Sequence, residues 1–309
     1  MTWLQSLVLA LVQGVTELFP VSSLGHTVVL TALLGWGDLQ NSPDFLPLVV
    51  LFHVGTATAL LIYFWRDWVA IARGFVATAI SGRLDSDPNG RVAWLLIVGT
   101  IPTGLLGLFL ETPLKHLFAS PIVASGFLIV NGVILLVGER DRHHALASSR
   151  SRPGEDTSNL AQNERPNGLD EDEKPATSML SSFSTVGWRQ AVLVGLAQAL
   201  ALLPGISRSG VTMVAALRVG LSHEDAAAYT FLLATPIIGA AGLLEIPQLA
   251  GSPPSTLVVA IVGGVLAGVA AYLSTKFLMH YFEKGRLDPF GYYCIAAGLV
   301  SSLLIRIRA

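Results

Sequence analysis

Charged side chains are what this sequence has least of: they make up 13% of its 309 residues, beside 52% that are hydrophobic. A soluble protein carries about 25% charged residues, so water is excluded as the solvent around most of this chain. The net charge is −2. There is no cationic excess of the kind that nucleic acid recruits, and nucleic acid is not an expected partner. The single cysteine, Cys294 in the apolar run Tyr292–Leu299, rules out an internal disulfide and says nothing about compartment. The opening residues, Met1–Leu11, lack a basic stretch. They read as part of the working fold and not as a secretory signal.

What the sequence does have is long apolar runs. Crossing a bilayer takes roughly 20 mostly apolar residues, and six runs qualify: Leu46–Trp65, Ala93–Leu110, Ile122–Val137, Ala226–Leu244, Leu257–Leu278 and Phe290–Ile305. Two further regions are interrupted. Leu4–Leu34 breaks at Pro20, Ser22, Ser23, Gly25 and His26, and Val192–Leu217 breaks at Pro204, Gly205, Ser207, Arg208, Ser209 and Gly210. The fragments on either side are too short to cross, and they suit the arms of a re-entrant hairpin. The expected fold is an all-α polytopic membrane protein with six transmembrane helices and two re-entrant helix–loop–helix hairpins, 4–34 and 192–217. The order of one hairpin and then three spans occurs twice, over 1–138 and 188–309. Three crossings are an odd number, so the second unit enters from the opposite face. That is an inverted-topology repeat, which builds a site where broken helices meet near the midplane. Residues 139–187 lie between the repeats. They are polar and rich in Ser, Asn, Pro and acids, including Asp170-Glu171-Asp172-Glu173, and read as a disordered linker.

The interruptions carry the chemistry. Gln13 and Glu17 are four residues apart and share a helix face, ahead of Pro20-Val21-Ser22-Ser23-Leu24-Gly25-His26. The second break reads Pro204-Gly205-Ile206-Ser207-Arg208-Ser209-Gly210-Val211-Thr212. A charge at bilayer depth costs about 2.5–3.5 kcal/mol on insertion scales. Glu17 and Arg208 facing lipid would together cost on the order of 6 kcal/mol, comparable to a whole protein's stability. Both must face an interior or a wet cavity. Arg208 offers a fork of donors matched to phosphate oxygens, and Gly205 and Gly210 allow backbone N–H groups to approach an anion at a helix start. Ser207, Ser209 and Thr212 add hydroxyls. Glu17 with Gln13 offers oxygen ligands for a divalent metal. Ser22 or Ser23 supplies a hydroxyl nucleophile, and His26 serves as base or acid near neutral pH.

These two motifs, in this order, resemble the two signatures of the undecaprenyl-diphosphatase (bacitracin-resistance) family, and the resemblance covers the whole chain except the linker. It implies hydrolysis of undecaprenyl diphosphate to undecaprenyl phosphate and phosphate, recycling the lipid carrier for peptidoglycan in the bacterial inner membrane. It also implies a divalent cation (Mg2+ or Ca2+), a site opening outward and a homodimer. Carried across, Glu17 is the metal or acid–base carboxylate, Ser23 the nucleophile, His26 its proton partner and Arg208 the diphosphate clamp. Ser22, Gly205, Ser207, Ser209, Gly210 and Thr212 line the substrate. One departure stands out: the family's first motif often opens with Glu, and Gln13 here is neutral, so it cannot be an essential base.

Other functions compete for the same features. A polyprenyl-phosphate transporter or flippase would use the same anion pocket, because inverted repeats are a transporter plan. Transport, however, needs no nucleophile. A structural scaffold leaves the cost of Glu17 and Arg208 unexplained. His53, in Leu51-Phe52-His53-Val54-Gly55, reads as a packing histidine, and Gly264-x-x-x-Gly268 as a site of close helix approach.

Orientation follows from the cations. Of 19 lysines and arginines, only Lys115, Arg306 and Arg308 fall on the face carrying the termini. Arg66, Arg73, Arg83, Arg91, the linker's cations, Arg218, Lys276, Lys284 and Arg286 fall on the other face. The positive-inside rule makes that second face cytoplasmic and puts both termini outside. A reporter fused after Ala309 should therefore be extracytoplasmic, and one inserted at Asn163 cytoplasmic. Finding both in one compartment would remove the odd-span repeat.

Overall fold

The computed structural model describes residues 2–37, 39, 45–84, 87–118, 120–150, 180, 182–249 and 251–308. Among them the regular structure is helical. In chain order the helices are α1 (Trp3–Thr16), α2 (Ser23–Leu33), α3 (Phe45–Tyr63), α4 (Trp65–Ser81), α5 (Pro88–Phe118), α6 (Pro121–Arg150), α7 (Trp188–Ala199), α8 (Arg208–Arg218), α9 (His223–Glu245), α10 (Pro254–Phe282) and α11 (Asp288–Arg308). Five of these, α5, α6, α9, α10 and α11, are long and apolar enough to cross a membrane; α3 and α4, bent by 82° at their junction, make a sixth candidate. The protein is a multi-pass membrane protein.

Local chemistry sets the ends of the short helices. Thr2 and Gln5 form a capping box that starts α1, satisfying N–H groups that no earlier turn can reach. At about 1.5 Å per residue its 14 residues reach roughly 21 Å, short of the ~30 Å hydrocarbon core. Pro20 cannot continue a helical ladder, and the chain restarts at α2 with Ser22 as N-cap, its Oγ accepting from the Gly25 N–H at 3.2 Å. The second interruption repeats the device: Ser207 caps α8 by accepting from the Gly210 N–H at 3.1 Å. Each break therefore restarts a helix at a Ser-x-x-Gly step.

The long helices approach to backbone contact through glycine. A Cβ built on Gly55 of α3 would lie 2.0 Å from the Gly264 carbonyl oxygen of α10, and one on Gly264 would lie 2.7 Å from the Leu51 oxygen. The Gly264-x-x-x-Gly268 step does serve close helix packing, as its spacing implied. In the middle of the molecule α9 is nearly enclosed, with Tyr229, Phe231 and Leu233 at 1% exposure or less.

Two readings of the sequence need revision. The apolar runs give no span over helix α4, because Arg66, Asp67 and Arg73 interrupt its apolar residues. It is amphipathic, and it buries Ile71, Gly74 and Thr78 while Arg66 and Arg73 stay exposed. The linker boundaries also move inward. Helix α6 continues to Arg150, and Glu139, 1% exposed, accepts hydrogen bonds from the His223 ring at 2.8 Å and the Leu287 N–H at 3.1 Å. At the other end Leu180, Phe183 and Val186 are buried, and Arg91 of α5 donates to the Ser184 and Val186 carbonyls. A charged residue is tolerated inside when its partners are built around it, which composition alone does not reveal. The rest of the proposed linker, 151–179, lies outside the described residues.

Gly55→Ala should destabilise the protein by about 1–3 kcal/mol through overpacking. Gly104→Ala in α5, where a Cβ meets nothing within 4 Å, should be neutral or gain up to ~1 kcal/mol of helix propensity. Thermal unfolding in detergent compares the two, and equal midpoints would contradict the α3–α10 contact.

Candidate active site

Both breaks lead to one carboxylate. Glu17 follows the last turn of α1, only 8% exposed. Its Oε1 takes an ion pair from the Arg208 guanidinium, at the first position of α8. Its Oε2 accepts from the Ser23 hydroxyl at 2.5 Å and from the Gln13 amide at 2.9 Å. Ser23 stands at the first position of α2, so it and Arg208 occupy equivalent places after their serine caps and converge on opposite oxygens of the same group. A carboxylate this buried needs such partners, because an isolated charge out of water costs several kcal/mol.

A buried asparagine stitches the two loops together. Asn131 of α6, fully buried, donates through Nδ2 to the Pro20 carbonyl at 3.0 Å and accepts from the Ser207 N–H at 2.9 Å. Ser209 adds a bond to the Phe19 carbonyl at 2.9 Å. Residues far apart in sequence therefore hold Glu17, Ser23 and Arg208 in register.

Of the residues singled out from sequence, Gln13, Glu17, Ser23 and Arg208 come together. Ser22 and Ser207 spend their hydroxyls as caps, and Ser207 also pairs with Ser209 at 3.0 Å. Gly205 has φ +107°, and a Cβ there would lie 2.4 Å from the Ala124 carbonyl oxygen. Its lack of side chain serves contact with α6. Gly210 packs beside Leu135 and Asn131. Thr212 is fully buried, and its hydroxyl finds no hydrogen-bond partner among the described residues. His26 does not reach Ser23. Its Nδ1 lies 2.7 Å from the Ser22 carbonyl oxygen and its Nε2 lies 2.8 Å from the Tyr293 hydroxyl.

The sequence pattern makes His53 a packing residue, whereas the structure places it beside Glu17. Its Nδ1 meets the Val49 carbonyl at 2.8 Å, which orients the ring, and its Nε2 lies 3.9 Å from Glu17 Oε2. An ionisable side chain in an otherwise apolar span was the available signal. Chemically the arrangement offers an activated hydroxyl, a carboxylate to take its proton and a guanidinium for an anion. Gln13 and Glu17 offer oxygen donors to a hard cation. Among the described residues no three of His, Cys, Asp or Glu gather as a metal cage.

A family model described as "Bacitracin resistance protein BacA" matches residues 6–300. The chain is 44% identical to "Undecaprenyl-diphosphatase 2" of Chromobacterium violaceum, over 98% of this chain and 99% of that one. It is 42% identical to "Undecaprenyl-diphosphatase 2" of Frankia alni, over 98% of each, and 44% identical to "Undecaprenyl-diphosphatase" of Mycolicibacterium paratuberculosis, over 100% and 99%.

Removing Glu17 should strand Arg208, whose side chain is 18% exposed. Glu17→Ala should destabilise by about 3–5 kcal/mol, and the double variant Glu17→Ala/Arg208→Met should recover much of that loss. Chemical unfolding of the two variants checks this; simple additivity would mean that the ion pair is not energetically coupled.

Proposed function

The chain belongs to the bacitracin resistance protein BacA family, and from that premise we propose that the Glu17–Ser23–Arg208 group hydrolyses undecaprenyl diphosphate to undecaprenyl phosphate and phosphate. The protein is a membrane phosphatase acting on a phosphoric anhydride in a lipid. One observation carries the assignment of roles: Ser23 donates its hydroxyl proton to the same carboxylate that Arg208 neutralises from the other side. Transport of a head group needs Arg208 but gives no reason for a hydroxyl held 2.5 Å from a buried carboxylate.

In the proposed reaction the diphosphate draws Arg208 from Glu17. The guanidinium fork suits phosphate oxygens as well as it suits a carboxylate. The freed Glu17 becomes the stronger base and takes the Ser23 proton as Oγ attacks the terminal phosphorus. The Oγ–P bond forms, the anhydride P–O bond breaks, and the polyprenyl phosphate leaves with the electron pair. Glu17 passes the Ser23 proton to the departing polyprenyl phosphate. Water then attacks the phosphoserine as Glu17 takes its proton, the Oγ–P bond breaks, and Glu17 returns the proton to Oγ, releasing phosphate and restoring Ser23. Arg208 stabilises charge on the phosphoryl oxygens throughout.

A divalent cation fits this donor set. Glu17 and the Gln13 amide oxygen would hold it, with substrate phosphate oxygens completing the shell, as is common for Mg2+. When bound, the ion neutralises charge on those oxygens. The family supports a location in the bacterial inner membrane, and the cation distribution supports both termini outside. The paired Ser-x-x-Gly restarts, in helices too short to cross, support two re-entrant hairpins in an inverted repeat, with the site opening outward. The family resemblance supports a homodimer.

Phosphate release from undecaprenyl diphosphate by purified protein, with and without chelator, tests the proposal. Arg208→Lys should lose about 10²–10³ in turnover, since it keeps the charge and loses the fork. Ser23→Ala should abolish turnover and leave lipid-diphosphate binding nearly intact. Substantial turnover in Ser23→Ala would replace the serine with an attacking water, and no release from wild type would leave only head-group transport.

A further inference from the structure

His26 lies three residues beyond the proposed nucleophile and directs both ring nitrogens elsewhere, which shows what it does instead. Nδ1 faces the Ser22 carbonyl oxygen at 2.7 Å, an acceptor, so Nδ1 carries a hydrogen and donates. Nε2 faces the Tyr293 hydroxyl at 2.8 Å, and the two rings stack at 5.6 Å with 4° between their planes. A histidine whose nitrogens are both engaged is held in one tautomer and one orientation.

What this ring holds is a strained residue. Ser22 has φ +70°, the only positive φ among the described residues other than glycine. Such a conformation is strained for a residue with a side chain and persists only where the surroundings over-determine it. Around Ser22 they do. Its Oγ accepts from the Gly25 N–H, and its carbonyl accepts from both the His26 N–H at 3.2 Å and the His26 ring. Ser22 in turn sets the direction from which Ser23 enters α2 and meets Glu17.

We propose that Tyr293 of α11 is a positioning residue for Ser23, acting through His26. His26 is a strut for the Ser22 turn, and the Tyr293 hydroxyl holds the strut. This rests on the hydrolytic reading above. Ser23 has its base in Glu17, so the reaction needs no proton from His26. Nothing in the sequence joins Tyr293 to the site, since it lies 267 residues from His26.

Two measurements on the full-length protein test the proposal. The first is hydrogen exchange over the peptide containing Ser22–His26. Exchange should quicken in Tyr293→Phe, by a similar amount in His26→Asn, whose amide nitrogen takes the place of Nδ1 but loses the Tyr293 contact, and most in His26→Ala. Unchanged exchange in Tyr293→Phe overturns the proposal whether or not the protein is a phosphatase. The second is turnover on undecaprenyl diphosphate. Tyr293→Phe should lower kcat about tenfold with KM within about threefold, as expected of a misplaced reacting group. His26→Asn should stay within about tenfold of wild type while His26→Ala falls ~100-fold or more. Adding Tyr293→Phe to His26→Asn should cost nothing further, because the tyrosine then has no ring nitrogen to hold. Equal loss in His26→Asn and His26→Ala, with one limb of the pH–rate profile missing from both, overturns the proposal in favour of proton transfer by His26. No phosphate release from wild type defeats the hydrolytic reading instead, and leaves the exchange result to decide the strut.

Discussion

The structure turns on one buried ion pair. A carboxylate at 5% side-chain exposure and a guanidinium at 18% are unaffordable singly in an apolar protein and tolerable together. Glu17 comes from the first break in the chain and Arg208 from the second, so neither half can bury its charge alone. The pair fixes how the halves meet. It also places a carboxylate beside a hydroxyl and a guanidinium fork beside both. The interaction that makes the fold acceptable is the one that the proposed chemistry must open.

Opening it is feasible because the neighbouring contacts do not depend on it. Asn131 ties the Pro20 carbonyl to the Ser207 N–H, and Ser209 ties itself to Phe19. In the proposed reaction the two loops would therefore stay joined while Arg208 changes partner. The glycines at 205 and 210 contribute by letting α6 come close enough for Asn131 to reach both loops. Their motif suggests room for an anion; in the structure that room is taken up by packing of the second break against α6.

How much of this was legible in the sequence depends on how local the physics was. The spans were legible, because hydrocarbon demands long apolar runs, and so were Glu17 and Arg208, because a charge within such a run needs a reason. The first motif pointed to Ser22 or Ser23, and the structure sets Ser23 against Glu17. What escaped were contacts between distant elements. His53 reaches Glu17 from α3, His26 reaches Tyr293 on α11, and Glu139 finds His223 and Leu287 across the bundle. Helix α4 escaped for another reason: an amphipathic pattern carrying two arginines and an aspartate fails a test for apolar length while still burying one face.

Gln13 shows how one residue adjusts the balance of the site. The resemblance leads one to expect a second carboxylate there. Two carboxylates four residues apart on one helix face would repel, and Arg208 could neutralise only one of them, leaving the other for a cation to hold. With Gln13 the side chain instead donates to Glu17 Oε2 at 2.9 Å, which an ionised glutamate cannot do. The site in this chain is therefore closer to neutral without a metal, and Glu17 is quietened by three donors, Gln13, Ser23 and Arg208. Under the proposed reaction, affinity for a divalent ion would lean more heavily on the charge that the diphosphate brings, and binding of ion and substrate would be mutually dependent, since each would supply the charge that the other lacks.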